Sequence, residues 1–204
     1  MTAVPVPEAA CVDMVFPVDG LSLPRDHAQA LQQALCAHAP WLGADALAGI
    51  HPVKLVPGNE PVALLSRRTR LLLRVRPEHA QALMSLAGQA LDVGVSMLRL
   101  GAPHQRALQA HSTLYAYRVA ADSADEVAFM ATVSRALAAL DMGGERVCGK
   151  RHSLTVSGRV LNTFSLMLHA LTPEQSLRLQ QHGLGPHRLL GCGIFVPHKS
   201  AAAV

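Results

Sequence analysis

The sequence predicts an α+β fold built from two tandem βαββαβ units, and three observations predict it. Half of the 204 residues are hydrophobic and 16% are charged, a balance that buries a sizeable core. Apolar runs with strand spacing alternate with runs that recur at helical spacing. The same order of elements then occurs twice. A chain of this length holds one large domain or two small ones. With aromatics at 3%, the core must be mainly Leu, Val and Ala, and platforms of Phe and Tyr for base stacking are not expected.

Taken in order, residues 12–18 read as a buried strand. Residues 24–39 are predicted helical: Ser22 or Leu23 can cap the segment, Pro24 suits a first turn, and Leu31 and Leu35 recur one turn apart. Residues 50–56 are predicted as a second strand, with Pro52 marking an edge or a bulge. A turn at Pro57-Gly58-Asn59 leads to a third strand region, residues 62–65 and 71–75, interrupted by arginines. Pro77 opens a second helix with Leu83 and Leu86 on one face, ending near Gly88. Residues 91–100 form a strand with a bend at Gly94. This order is the ferredoxin-like motif, an antiparallel sheet with two helices on one side.

Residues 101–112 carry no clear period and read as a linker. The order then repeats: a strand at 114–120, a helix at 125–140, strands near 146–148, 154–156 and 160–169 with a turn at Ser157-Gly158, a short helix from Thr172-Pro173-Glu174 to about Gln181, and a last strand at 193–196. The predicted organisation is two ferredoxin-like (RRM-like) domains, residues 1–100 and 113–204, joined by 101–112.

The formal net charge is only +4, but it is concentrated. Residues 143–204 hold seven lysines and arginines against two acids, and residues 61–76 hold five arginines and no acid. Such stripes suit a polyanion-binding surface, or solvated edges that resist aggregation. The cysteines Cys11, Cys36, Cys148 and Cys192 lie far apart without metal-ligand spacing and read as buried free thiols of a reducing compartment. No metal or cofactor is expected. Neither a signal peptide nor a membrane span is indicated, so a cytoplasmic protein without membrane partners is expected.

The segment GLGPHRLLGCG places glycines at Gly183, Gly185, Gly191 and Gly193. Successive amides in such a loop can converge on a phosphate, with His187 and Arg188 adding charge-assisted contacts. Dinucleotide and P-loop readings fail, because both need a strand before the glycines and a helix after. The structural alternative is that Gly183 ends a helix and the later glycines relieve crowding in a bulged strand.

This pattern resembles the C-terminal glycine-rich loop of the RAMP superfamily. The stretch SLRLQQHGLGPHRLLGCGIFVPHK resembles the CRISPR repeat-processing endoribonucleases of type I systems, as do VDMVFPVDGLSLPRDHAQAL, WLGADALAGIHPVK and VCGKRHSLTVSGRVLNTFSL. The likeness covers nearly the whole chain, and PRDH and the glycine loop are its most specific parts. It implies tandem ferredoxin-like domains and metal-independent cleavage of precursor CRISPR RNA. In that chemistry the 2′-OH attacks the adjacent phosphate, leaving a 2′,3′-cyclic phosphate and a 5′-OH. Retention of the guide RNA by its 3′ hairpin, and association with other effector-complex subunits, are further implications.

Such cleavage needs a base, an acid and cations around the developing charge. Histidine suits the proton transfers. His27 in PRDH, where the family usually keeps its catalytic histidine, is the first candidate, followed by His51 with Lys54 as the stabilising cation. Lys150, Arg151 and Arg159 bracket an expected hairpin and could hold an RNA stem by its phosphates, with Arg67, Arg68 and Arg70 on the other flank. His182, His187 and His198 surround the loop as phosphate contacts, His38 reads as structural, and His79, His104, His111, His152 and His169 form no constellation. Many family members have a tyrosine near the catalytic histidine; here Tyr115 and Tyr117 lie in the second half, which leaves the acid open among a lysine, water and a second histidine. Two competing readings are a non-catalytic guide-RNA-binding subunit and a metabolite-binding regulatory protein.

Overall fold

A computed structural model describes residues 10–199. The first half is built on β1 (Val12–Asp19), which lies antiparallel to β5 (Arg70–Val75), with β3 (Gly49–Ile50) beyond it. On the other edge of β1 run β7 (Ser96–Leu100) and then β8 (His104–Ala107), and β6 (Ala90–Val93) closes the sheet. Between β7 and β8 the register against β1 slips by one residue, from Val18 opposite Leu100 to Val15 opposite His104, so the two act as one bulged strand. Helices α1 (Ala28–His38) and α2 (Pro77–Leu83) contribute Leu31, Leu35 and Leu83 to a core that also holds Met14, Phe16, Leu71, Leu73 and Leu98.

The second half repeats the plan with β9 (Leu114–Ala121), α3 (Glu126–Ala139), β10 (Glu145–Val156), β11 (Arg159–His169), α4 (Pro173–His182) and β12 (Val196–Pro197), in the sheet order β10-β11-β9-β12. In both sheets the first strand of the unit lies between the third and the fourth, and the second pairs with the third. That is the ferredoxin-like order, so the fold is a tandem of two such units. The caps follow local chemistry. The Asp125 carboxylate accepts the amides of Val127 and Ala128, and Thr172 forms a capping box with Gln175 ahead of Pro173.

Several elements differ from the sequence expectations. The strand expected at 91–100 is the antiparallel β6–β7 hairpin, turned at Gly94 with φ 69°, and the strands expected near 146–148 and 154–156 are the single strand β10. Pro24 does not open α1. Instead β2 (Ser22–Pro24) pairs with β4 (Val62–Leu64), which takes residues 62–64 out of the main sheet. Arg25 locks this excursion by donating to the carbonyls of Glu60 and Val56. The second strand stops early: the His51 amide bonds the Leu72 carbonyl, and Pro52 has no amide to continue the ladder. Residues 101–112, read as aperiodic, contain β8 on β1. The strand expected at 193–196 begins only at Val196, because Gly193 closes the glycine loop instead.

The two units share buried contacts. Ala28 packs with Leu154, Leu190 and Cys192, and Cys11 and Leu108 pack with Leu177. Cys11 and Cys192 are buried, Cys36 and Cys148 half-buried, and all four are free. Among the described residues no helix is long and apolar enough to cross a membrane.

Candidate functional site

On the first sheet, strands β5, β1 and β8 place Arg74, Asp13 and Arg106 side by side, because Asp13 is the register partner of both arginines. The Asp13 carboxylate receives Arg74 through Nε at 2.8 Å and Nη2 at 3.2 Å, Arg106 Nη2 at 3.0 Å and His51 Nε2 at 3.1 Å. Burial opposes its charge, but the donations of His51 and Arg74 hold the carboxyl well below the usual carboxylate range. An ionised carboxylate only accepts, so the His51 Nε2 carries a proton and donates it. Burial, followed by the charge of Arg74, pushes the His51 pKa down, which keeps the imidazole neutral at pH 7. Arg74 is fully buried and also donates from Nη1 to the carbonyls of Gln180 and Phe195 in the second unit. It therefore belongs to the junction between the units and not to the basic surface on which its charge was counted.

Beside this network opens a cleft of about 660 Å³ between the units, lined by His51, Lys54, Arg68, Arg70, Arg106 and Gln180 among others. The fold thus gathers four of the residues singled out from sequence, with Lys54, Arg68 and Arg70 exposed. Arg67 is exposed on the same connection. His27 is not part of this lining, so the three proposed catalytic residues do not form one group.

His27 occupies the N-cap position of α1, at the contact between that helix and the second unit, and is only 4% exposed. Its Nδ1 lies 2.7 Å from the Pro24 carbonyl. A carbonyl can only accept, so Nδ1 carries the proton and, in the neutral ring, Nε2 holds the free lone pair. Burial lowers the His27 pKa, the Pro24 bond opposes the shift, and the charge of Arg118 adds to it. The neighbouring Asp26 accepts the Thr155 amide at 3.0 Å, and Gln29 accepts the Ser157 amide at 2.7 Å. The tip of the β10–β11 hairpin, turned by Ser157 and Gly158 at positive φ, thereby grips the start of α1.

The glycine loop is closed from within. Gly183 ends α4 at φ 67°, and Gly193, also at φ 67°, lies against it: the Leu184 amide bonds the Gly193 carbonyl and the Gly193 amide bonds the Arg118 carbonyl. A Cβ on either glycine would overlap backbone, at the Gly193 oxygen or the Leu184 oxygen. The amides of Gly183, Gly191 and Gly193 are all occupied inside the protein and cannot cradle a phosphate. Gly185, Pro186 and the left-handed His187 are the exposed members of the loop. Arg188 is also inward: it is 8% exposed, and its Nη2 donates to the carbonyls of Leu47 and Gln181. Burial pushes its pKa down to about 10, with the charge of Arg74 adding to the effect. Lys150, Arg151 and Arg159 stand exposed on the β10–β11 hairpin.

Sequence reasoning missed Asp13, Arg106 and Arg118. The first had a legible signal, since an acid inside the buried run VDMVF demands a cationic partner. Arg118 had none, because, apart from its neighbour Tyr117, its environment is made by His27 and Cys192 from distant segments. Among the described residues no group of three His, Cys, Asp or Glu side chains is arranged to hold a metal ion.

Comparison with known proteins places this geometry. The Cas6 Crispr family model matches residues 12–200. A relative in Myxococcus xanthus (strain DK1622), the CRISPR-associated endonuclease Cas6, is 38% identical over 194 residues, spanning 95% of this chain and 84% of its own. Two solved structures share the fold at 10% identity. One, described as CRISPR associated protein Cas6, has a TM-score of 0.65 and covers 93% of this chain and 100% of its own. The other, a Cas6-related protein from Pyrococcus furiosus, has a TM-score of 0.61 with 91% and 98% covered. With a family match from the first strand to the last and a relative that runs along nearly the whole chain, this protein belongs to the Cas6 family.

Proposed function

We propose that this chain is a CRISPR repeat-processing endoribonuclease that cuts precursor RNA without a metal, by attack of a 2′-OH on the adjacent phosphate. The observation that carries the reading is His27: the Pro24 carbonyl fixes its Nδ1–H, leaving Nε2 to take the 2′-OH proton. The 38% identical relative named as an endonuclease supports cutting. The basic cleft with Lys54, Arg68, Arg70 and Arg106 supports binding of a polyanion. In this reading Lys54 contacts phosphate and His51 braces Asp13. Gly185 and His187 are the loop positions open to RNA, and Lys150, Arg151 and Arg159 hold the stem that follows the cut, so that the 3′ hairpin of the guide stays bound. A retained guide would carry the protein to the other subunits of an effector complex.

The near-complete burial of His27 favours a second reading, a guide-RNA-binding subunit that does not cut. Incubation with cognate repeat RNA in EDTA separates the two. The cutting reading expects a 2′,3′-cyclic phosphate and a 5′-OH, and no product when the scissile nucleotide is 2′-deoxy. Tight binding without product, or undiminished cutting of the deoxy substrate, would overturn it.

A further inference from the structure

We propose that Arg118 holds the scissile phosphate between His27 and His152, and that His152 gives the leaving 5′-oxygen its proton. This rests on the reading of the chain as a ribonuclease whose base is His27, and it names the acid and the cation that reading lacks.

The placement begins with the second sheet. Opposite Ser165 of the central strand β11, both neighbouring strands carry an extra residue. On β9 the register passes from Ala116 opposite Leu166 to Val119 opposite Phe164, and on β10 from Cys148 opposite Leu166 to Arg151 opposite Phe164. Bulges re-aim side chains. The bulge on β9 contains Tyr117 and Arg118, and the one on β10 contains Gly149 and Lys150. Over this spot the Tyr117 and His152 rings meet with centroids 4.5 Å apart, although β11 separates their strands, and the Arg118 guanidinium carbon lies 5.1 Å from the Tyr117 ring.

Arg118 lacks what a half-buried arginine normally has. Among the described residues it makes no ion pair, and its Nε is buried without a hydrogen-bond partner. Asp26, the acid whose charge reaches it, has an oxygen engaged by the Thr155 amide. Arg74, by contrast, has its nitrogens matched by Asp13 and two carbonyls, and Arg188, which also has Nε and Nη1 unpartnered, is held by two carbonyls through Nη2. An uncompensated guanidinium at a junction is the complement of an anion from outside the chain. His27 is brought to the same place by its chain neighbours: Ala28 packs on Leu154 and Cys192, Asp26 accepts the Thr155 amide, and Gly193, next to Cys192, bonds the Arg118 carbonyl. After burial, the charge of Arg118 is the next influence holding down the His152 pKa, and it acts in the same direction on His27. A phosphate seated on Arg118 cancels that repulsion and favours the protonated imidazole that an acid requires.

The step balances. As O2′ attacks phosphorus, the His27 Nε2 takes its proton; the P–O5′ bond breaks with its electron pair on O5′, and the His152 imidazolium supplies the proton that makes the 5′-OH. Arg118 faces the charge gathered on the non-bridging oxygens. Solvent then returns the two imidazoles to their starting states.

The test is single-turnover cleavage of cognate repeat RNA with either oxygen or sulfur at the bridging 5′ position, since a thiolate leaves without an acid. His152→Ala is expected to slow the oxygen substrate about 10²–10⁴-fold and to cut the sulfur substrate near the wild-type rate, an outcome that a folding defect cannot imitate. Arg118→Ala is expected to slow both substrates about 10²–10³-fold, with Arg118→Lys partly restored. The inference is overturned if His152→Ala is equally slow on both substrates, or if both variants cut at the wild-type rate while His27→Ala is inactive. If wild-type protein cuts neither substrate, the ribonuclease reading itself falls.

Discussion

The imidazole of His27 is prepared for one role by two neighbours. The Pro24 carbonyl fixes the tautomer, and burial together with Arg118 keeps the ring neutral at pH 7 despite Asp26 beside it. His27→Ala is therefore expected to lower the single-turnover rate about 10²–10⁴-fold while repeat affinity in a filter-binding assay stays unchanged. Loss of the His152 proton should lower the rate on the high-pH side, and because the His27 pKa is depressed the low-pH arm should lie below the ordinary histidine value of about 6.5. An acid limb above it would contradict the neutral base. The same direction has a consequence for stability. His27 and His51 both fold with depressed pKa values, so the unfolded chain takes up their protons first as pH falls. Their contribution is complete above about pH 6.5 and is lost as pH falls through the folded-state values. Urea unfolding across pH 5–8 should show this loss, and His51→Gln should flatten it. The motif PRDH pointed to His27 through its resemblance to the family's usual place for the catalytic histidine. Its partner Arg118 and the Asp13 contact of His51 arise from strand register across distant segments, which spacing along the chain does not encode.

Among the elements, the glycine loop changed its meaning most. Its two G-x-G pairs were legible and suggested a phosphate cradle, but Gly183 and Gly193 are set back to back to close the loop onto Arg118. Gly193→Ala should destabilise by at least about 1–2 kcal/mol, the cost of a left-handed L-residue, with more added by the overlap at the Leu184 carbonyl. Gly185→Ala meets only Val119, at 4.0 Å, and should carry the conformational cost alone. Urea midpoints of the two variants compare them directly, and equal losses would argue against closure as the role of Gly193. The helices and strands themselves were largely readable, since Asp125, Thr172 and the apolar periods act locally. Two of the errors fall at prolines. Pro24 and Pro52 both sit where a missing amide decides whether a ladder forms, and which edge each faces is set by the fold.

At the scale of the molecule, the duplication was visible in the sequence while the junction was not. Arg74 of the first unit and Arg188 of the second converge on one place, the end of α4, where they bond the carbonyls of Gln180 and Gln181. Those carbonyls belong to the last turn of the helix, which has no intrahelical donors and attracts cations. Each arginine also reaches across: Arg74 to Phe195, and Arg188 to Leu47. The junction is therefore a buried polar contact flanked by the apolar contacts of Ala28 and Cys11. Nε and Nη1 of Arg188 have no partner in it, and parting the units would break the bonds of Arg74 to Gln180 and Phe195 and of Arg188 to Leu47 and uncover those apolar contacts. We expect the two halves to unfold in one transition. The chain supplies its own probes, because its single tryptophan, Trp41, lies in the first unit and both tyrosines, Tyr115 and Tyr117, lie in the second. Urea curves followed by tryptophan fluorescence and by tyrosine absorbance should coincide. Arg74→Ala leaves the buried Asp13 carboxylate without its main partner, and breaking such a pair costs about 3–5 kcal/mol. Both midpoints should fall together in that variant. A shift of the tryptophan curve alone would mean that the second unit stands by itself and that the junction does not couple them.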